Sequence, residues 1–133
     1  MSSSIACIAC KDGKLFIAKR QNVGDMGGRW EFPGGKIEEG EDFNTAIVRE
    51  MQEEFGITVE VGEKITSGVF EHKGKKCTLD AFFVKFPHDG IEKAFELTEH
   101  TDYKWIDPSE IPSLNFVDSD LMIYPDIMKK ING

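Results

Sequence analysis

Three glutamates of this chain stand at a spacing that suits the binding of a divalent cation. Glu53 and Glu54 follow Glu50 by three and four residues, so all three side chains share one face if the segment is helical. Like charges at this spacing repel one another, and we therefore expect a positive group among them. Carboxylate oxygens are ligands that Mg²⁺ prefers, and Mg²⁺ also bridges to substrate phosphates. The spacing therefore indicates a magnesium site that serves a phosphorylated substrate.

The residues around these glutamates predict the helix that carries them. No glycine or proline occurs from Asp42 to Phe55, Asp42 is a favourable N-cap, and Gly56 provides a stop. Helical spacing predicts a broad apolar stripe, which we expect to be buried; it consists of Phe43, Ile47, Val48, Met51 and Phe55. Directly before the helix, Pro33-Gly34-Gly35 predicts a tight turn, which can direct a backbone carbonyl toward a metal ion.

The segment as a whole matches a known motif. Residues 35 to 57 carry the spacing G-x5-E-x7-R-E-U-x-E-E-x-G-U, in which U is apolar, without a mismatch. This is the motif of the Nudix hydrolases, and the chain resembles that family. The preceding segment Arg29–Glu38 is most similar to that of the MutT-type nucleoside triphosphate pyrophosphohydrolases.

The resemblance implies a metal centre and a set of catalytic groups. In the family, the carbonyl at the Gly34 position joins the box glutamates, here Glu50, Glu53 and Glu54, in binding Mg²⁺, which Mn²⁺ can replace. Glu99 lies before a Tyr-Lys-Trp-Ile strand and resembles an additional glutamate that MutT-like enzymes bring to the metal from a distant loop; the alternative is a solvated loop carboxylate. Glu50 or Glu53 is the expected proton acceptor, with Glu99 in reserve.

Arg49 precedes the first of the three glutamates and has neighbours of opposite charge. A guanidinium can pair with several carboxylates at once, so Arg49 is expected to orient the glutamates that bind the metal. Pairing with neighbouring glutamates is thus the expected role of Arg49 both in the structure and in catalysis.

Substrate contacts are expected from three further residues. Arg20 matches a family position that contacts substrate phosphates, although a surface arginine at a strand end is an equal alternative. Phe32 is a candidate wall of the base site. Asp118 falls where MutT itself has an asparagine that reads oxidised guanine, and Asp120 stands close by. Asp118 is equally able to cap the last helix.

The aspartate at this position leaves the substrate open. An asparagine both donates and accepts hydrogen bonds, whereas an ionised aspartate only accepts. By resemblance, 8-oxo-dGTP is the leading substrate for hydrolysis to a monophosphate and pyrophosphate. A (d)CTP pyrophosphohydrolase is the alternative, because cytosine carries an amino donor. A non-catalytic nucleotide-binding domain is a third reading, since folds can outlive their chemistry.

Composition limits the partners and the location. The chain has 133 residues and a net charge of −8, which predicts one domain over residues 1–133 and argues against a nucleic acid polymer as partner. No apolar stretch approaches the roughly 20 residues that span a bilayer. The start of the chain lacks the basic and apolar regions of a signal peptide, and the number of cysteines is odd, so we expect a cytoplasmic protein with a nucleotide substrate. The oligomeric state is not written in the sequence.

The remaining pattern predicts an α/β sandwich with a mixed sheet, and the resemblance implies the Nudix fold, an α/β/α sandwich, over about residues 4 to 131. Apolar runs separated by turn signals predict five strands, which cover Ser4–Lys11, Lys14–Arg20, Val59–Glu71, Lys75–Phe86 and Thr101–Ile106. A closing helix is predicted over Val117–Ile131, kinked or split at Pro125. Cys7 and Cys10 are expected on opposite faces of the first strand, which excludes a shared metal ion. His72, His88 and His100 are expected at the surface.

Overall fold

A computed structural model describes residues 2–24, 27–87 and 100–132 of the chain. In these residues, seven strands and two α-helices are joined by turns and one 3₁₀ helix. In chain order the elements are β1 (Ser2–Lys11), β2 (Lys14–Arg20), β3 (Trp30–Glu31), β4 (Gly34–Lys36), α1 (Phe43–Phe55), β5 (Glu60–His72), β6 (Lys75–Lys85), β7 (His100–Ile106), the 3₁₀ helix (Pro108–Ser113) and α2 (Asp118–Asn132).

Strand β1 organises a mixed sheet. It pairs in parallel with β6 from Ser2↔Cys77 to Ala9↔Val84 and antiparallel with the short strand β4. At its far end it turns into β2, which also pairs with β3 and β7. Strand β5 pairs with β6 and forms one edge of the sheet. The mixed sheet that the sequence predicts is therefore confirmed.

The two helices cover opposite faces of the sheet. Alternation along β1 sends Ile5 and Cys7 into the core cluster that contains Met51 of α1. It sends Ile8 into a second core cluster that contains Ile123 of α2. This arrangement is an α/β/α sandwich, and the predicted fold class is confirmed.

Helix α1 begins and ends as its sequence predicts. The Oδ1 atom of Asp42 accepts a hydrogen bond from the Thr45 N–H at 2.8 Å, and the Gly56 N–H closes the helix on the Gln52 carbonyl at 2.9 Å. The expected apolar stripe is buried at Ile47, Met51 and Phe55. The expectation is wrong for Phe43, which lies in the first turn and is 37% exposed although its ring packs on that of Phe82. Val48 is only half-buried.

Predicted strand boundaries agree with the structure within two residues, and the closing helix differs in one respect. Helix α2 continues through Pro125 as one element instead of splitting there. Pro125 is exposed, so water can bind the backbone carbonyl that loses its helical partner. None of the described helices is long and apolar enough to cross a membrane.

Candidate active site

A cleft of about 870 Å³ extends from α1 to the beginning of α2 along the glycine-rich strand β4. It brings together every predicted site residue that the structure describes: Arg20, Phe32, Gly34, Arg49, Glu50, Glu53, Glu54 and Asp118. Glu99 and His88 lie outside the described residues. The cleft also contains Glu31 and Asp120, which form a second polar group described below.

Arg49 fastens the loop before α1 to the helix. Its Nε donates to Glu41 Oε2 at 2.7 Å, and its Nη2 donates to Glu41 Oε1 at 2.9 Å and to the Lys36 carbonyl at 3.1 Å. This paired hydrogen bond from Arg49, aided by the Glu38 N–H, lowers the pKa of Glu41 to about 2. The same bond raises the pKa of Arg49 above its usual value. Glu41 was given no role from the sequence, although its fixed place in the motif could have identified it.

The remaining nitrogen of Arg49 reaches the glutamates of the helix. Nη1 donates to Glu50 Oε1 at 3.0 Å and to Glu53 Oε2 at 3.2 Å. One guanidinium thus contacts two of the three glutamates and holds them to the loop. The geometry is the one expected of a residue that orients metal ligands.

The three glutamates differ strongly in exposure. The Glu54 residue is 2% exposed, whereas the Glu53 side chain is 60% exposed. Burial raises the pKa of the neighbouring Cys7 thiol well above its usual range, and the charges of Glu54 and Glu50 raise it further. The bottom of the cleft therefore has a negative potential that favours a cation.

Two glycines allow the turn to approach its neighbours closely. A Cβ atom on Gly35 would lie 2.5 Å from Cδ of Glu50, and one on Gly34 would lie 2.0 Å from the Ile5 carbonyl oxygen. Because no side chain fits at either position, strand β4 packs directly against β1 on one side and the Glu50 carboxylate on the other.

The donor set suits a hard divalent cation. In the parts of the chain that are described, no three His, Cys, Asp or Glu side chains converge closely enough to form a complete metal cage. Mg²⁺ does not require one, because it retains waters and binds through one or two carboxylates together with substrate phosphates. Glu50, Glu53 and Glu54 supply only oxygen donors, and Arg49 neutralises them incompletely. We find that these residues fit Mg²⁺ better than a soft metal.

A second polar cluster lies on the other side of the glycine turn. The Glu31 carboxylate accepts from Arg20 Nη1 at 3.0 Å and contacts His100 Nε2 at 2.8 Å. The buried Asp120 accepts from the Phe32 N–H at 2.9 Å. Burial, and then the charge of Glu31, raise the pKa of Asp120 to about 8, although the Phe32 N–H and Arg20 oppose the shift. At neutral pH the Asp120 carboxyl therefore retains its proton and is able to donate a hydrogen bond as well as accept one.

His100 is buried, and its expected surface position is wrong. Its side chain is 2% exposed and its ring stacks on that of Phe55, with centroids 5.6 Å apart and planes at 11°. The cause is the strand register, which places His100 opposite Arg20 at the beginning of β7. The expectation for His72 is confirmed, because that residue is exposed.

Asp118 and Phe32 lie at different depths in the cleft. Asp118 stands at the rim, where its side chain is 77% exposed and accepts from Arg29 Nη1 at 3.2 Å. Phe32 is buried against Phe116, with ring centroids 5.2 Å apart. Apolar residues that the sequence reading did not identify complete the walls; they are Phe70, Leu79, Val117 and Met122. Phe70 lies on β5 and Leu79 on β6, whereas Val117 directly precedes α2 and Met122 lies on it. No local motif therefore marks them.

Comparison with known proteins agrees with this geometry. The family model described as the NUDIX domain matches residues 2–127 of the chain. The chain is a Nudix hydrolase. Members of this family cleave nucleotides as pyrophosphohydrolases and generally require a divalent metal ion.

Individual Nudix relatives carry different substrate names. The CTP pyrophosphohydrolase of Escherichia coli K12 is 34% identical over 128 residues, which cover 96% of this chain and 92% of that protein. The 8-oxo-dGTP diphosphatase of Proteus vulgaris is 40% identical over 77 residues, which cover 58% of this chain and 69% of that protein. The solution structure of the E. coli ORF135 protein superposes with a TM-score of 0.84 at 33% identity, and the match covers 97% of this chain and 89% of that one.

Proposed function

We propose that this Nudix hydrolase is a Mg²⁺-dependent nucleoside triphosphate pyrophosphohydrolase that releases a nucleoside monophosphate and pyrophosphate. One observation carries the proposal: the glutamates of α1, the half-buried Glu31 carboxylate and the buried Asp120 carboxyl line the same cleft. The first group suits a metal-bound phosphate chain. The second group suits hydrogen-bond donors on a base.

The residues of the chain would divide the reaction between them. Glu50, Glu53, Glu54 and the Gly34 carbonyl would hold the metal ion, with Glu99 as a further candidate. Bound by these residues, a divalent cation would supply polarisation of the phosphate chain and a lowered pKa of a bound water. Glu50 or Glu53 would accept the proton of the attacking water. The water oxygen bonds to phosphorus, the P–O bridge between the monophosphate and the other two phosphates breaks, and pyrophosphate leaves.

The surroundings of Arg20 support a proposed role in substrate binding. Within residues 2–24, 27–87 and 100–132, its Nε atom is buried and has no hydrogen-bond partner. Its Nη1 is bound to Glu31, which fixes the guanidinium at the edge of the cleft. The Arg20 side chain as a whole is 43% exposed, so its accessible guanidinium N–H groups could donate to a phosphate oxygen in the cleft.

Cytosine is our leading candidate for the base. Its N4 amino group donates, and carboxylate side chains accept from it. Glu31 lies in the cleft as an acceptor, and the protonated Asp120 is able to donate to a carbonyl or ring nitrogen on the same base edge. The relative named CTP pyrophosphohydrolase also matches nearly the whole chain.

Oxidised guanine is the second candidate. The N–H groups of 8-oxo-dGTP are also donors to carboxylates, and the Proteus vulgaris relative named 8-oxo-dGTP diphosphatase has the higher identity over its shorter match. The sequence resemblance ranks this nucleotide first. We nevertheless rank the cytidine nucleotide first, because the match to the relative named CTP pyrophosphohydrolase covers 96% of this chain.

A panel of ordinary and oxidised nucleoside triphosphates tests the function. With Mg²⁺ present, pyrophosphate and inorganic phosphate are measured separately for dCTP, CTP, dTTP, dGTP and 8-oxo-dGTP. We expect pyrophosphate release, fastest with a cytidine nucleotide. Titration calorimetry with a non-hydrolysable nucleotide accompanies the assay, because binding without turnover across the panel would show a non-catalytic nucleotide-binding domain instead.

Two matched variants locate the group that reads the base. Asp120→Asn changes the buried carboxyl in the cleft, and Asp118→Asn changes the exposed one at the rim. We expect Asp120→Asn to change the ranking of the nucleotides by about five- to a hundredfold, since a mispaired buried polar group costs roughly 1 to 3 kcal/mol. A change of ranking in Asp118→Asn alone would move the base site to the rim.

A further inference from the structure

His100 lies between the metal-binding helix and the second polar cluster. It is the first residue of β7 and stands opposite Arg20 of β2. One face of its ring stacks on Phe55, the last residue of α1, and its Nε2 atom is 2.8 Å from Glu31 Oε2. His100 has no part in the chemical step described above.

Glu31 is held at both of its oxygens, by two unequal partners. Oε1 accepts from Arg20 and Oε2 contacts His100. The Arg20 side chain is 43% exposed, whereas that of His100 is 2% exposed. Water therefore competes for the bond to Arg20, while the bond to His100 is shielded and its ring is fixed by the stack on Phe55.

The orientation of Glu31 decides what the cleft can recognise. An ionised carboxylate only accepts hydrogen bonds, so the Nε2 atom of His100 must carry the proton that joins them. With one acceptor site of each oxygen occupied, the carboxylate plane is fixed and its remaining lone pairs have defined directions. A fixed acceptor distinguishes bases by the position of their donors, whereas a rotating one accepts from many positions.

We propose that His100 is a positioning residue that fixes the Glu31 carboxylate and thereby sets the selectivity of the enzyme among nucleotide bases. The inference rests on the proposed function, because it assigns a determinant of selectivity to the same cleft. His100 acts through Glu31, which its Nε2 atom contacts directly.

Substitutions that differ in reach and in donor capacity test the proposal. His100→Gln retains an N–H as many bonds from Cα as Nε2 of histidine, whereas the amide of His100→Asn is one bond shorter. His100→Phe retains a ring that stacks on Phe55 but removes the donor. Thr101→Ala, at the exposed neighbouring position, is the control. The readout is kcat and KM for dCTP, dTTP and 8-oxo-dGTP, with melting temperatures measured in parallel.

Selectivity is the ratio of kcat/KM for the preferred nucleotide to kcat/KM for the poorest one. We expect His100→Asn and His100→Phe to reduce this ratio by about five- to fiftyfold, mainly by raising KM for the preferred nucleotide. His100→Gln should restore most of the ratio, and the control should not change it. The effects of His100→Phe and Glu31→Gln should not add in the double variant, because both remove the same fixed acceptor. Should His100→Phe fail to fold, the comparison of glutamine with asparagine carries the test.

Two results would overturn the inference, and they are distinguishable. If the wild-type enzyme is selective and the His100→Asn and His100→Gln variants have the same ratio of kcat/KM values as each other, His100 only supports the fold. Additive effects of His100→Phe and Glu31→Gln would show that His100 does not act through Glu31. A wild-type protein that releases no pyrophosphate from any nucleotide would instead refute the proposed function, and the inference with it.

Discussion

At the scale of single residues, the cleft holds two groups of carboxylates that are stabilised in different ways. Arg49 donates hydrogen bonds directly to Glu50 and Glu53. Asp120 is kept neutral by burial, which raises its pKa to about 8. Charged carboxylates suit a metal ion, and a neutral one suits the edge of a base. The proposed roles of the two groups, metal binding and base recognition, rest on these two environments.

The substitution Glu53→Gln tests the charged group. It retains the size of the side chain and removes one negative charge. Because the Glu53 side chain is 60% exposed, we expect the fold to remain stable while turnover falls at least about tenfold, as for the loss of a metal ligand. Steady-state kinetics at saturating Mg²⁺ and thermal melting are the measurements.

Glu60→Gln provides the matched control for this variant. Glu60 is exposed at the start of β5 and lies outside the cleft, so its substitution should leave turnover unchanged. Activity of Glu53→Gln within about twofold of the control would remove Glu53 from the set of metal ligands.

The neutral carboxyl has a consequence for stability at different pH values. In the unfolded chain Asp120 has the ordinary pKa of 3.8, and in the folded chain about 8. Between these values the unfolded chain releases a proton that the folded chain retains, so the contribution of Asp120 to the free energy of unfolding falls as pH rises and is level outside this window. Asparagine at this position removes the titration.

We therefore expect Asp120→Asn to gain stability relative to the wild type as pH rises from about 4 to about 8. Denaturant unfolding of both proteins at several pH values gives the difference, in which titrating groups that do not interact with Asp120 cancel. A difference that is independent of pH would contradict the neutral Asp120.

At the scale of secondary-structure elements, the glycine turn sets the distance between β4 and α1. A methyl group on Gly35 would meet all three carboxylate atoms of Glu50 within 2.6 Å. Gly35→Ala should therefore displace Glu50 and reduce turnover by roughly a hundredfold, because a shift of about 1 Å at a reacting group has an effect of that size. Unchanged kinetics with an unchanged melting temperature would show that Glu50 does not need its present position.

The sequence predicts the elements better than it predicts the site. Helix α1 and the strands are predicted from residues that lie close together in the sequence. Examples are the cap at Asp42 and the alternation along β1, and both appear as predicted. The motif also brings Arg49 and its glutamates together. The second polar cluster depends on contacts between distant residues: Glu31 and His100 are 69 positions apart, and Phe32 and Asp120 are 88 apart. Such contacts leave no local pattern in the sequence.

Asp118 and Asp120 also show that the sequence does not predict which residues the tertiary packing brings into the site. They are two positions apart at the start of α2, and the sequence gives both the same chemistry. Only the packing of α2 on the sheet exposes the first and buries the second. The sequence-based choice of Asp118 as the base reader remains a prediction, and burial favours Asp120.

At the scale of the whole molecule, the charge of the chain must be reconciled with that of its substrate. The net charge is −8, and beside the neutral Asp120 the cleft contains four glutamates from α1 and the second cluster: Glu31, Glu50, Glu53 and Glu54. A triphosphate would be repelled from such a cleft unless cations neutralise both partners. The requirement for a divalent metal therefore follows from the electrostatics of the entire molecule as well as from its motif.

The most direct test of the account is an analysis of products with and without metal. The fastest nucleotide of the panel is incubated with the enzyme in Mg²⁺, after exhaustive chelation, and after Mg²⁺ or Mn²⁺ is returned. We predict equal amounts of nucleoside monophosphate and pyrophosphate with metal, none after chelation, and recovery on return of either ion. Nucleoside diphosphate with inorganic phosphate as the products, or full turnover after chelation, would contradict the account.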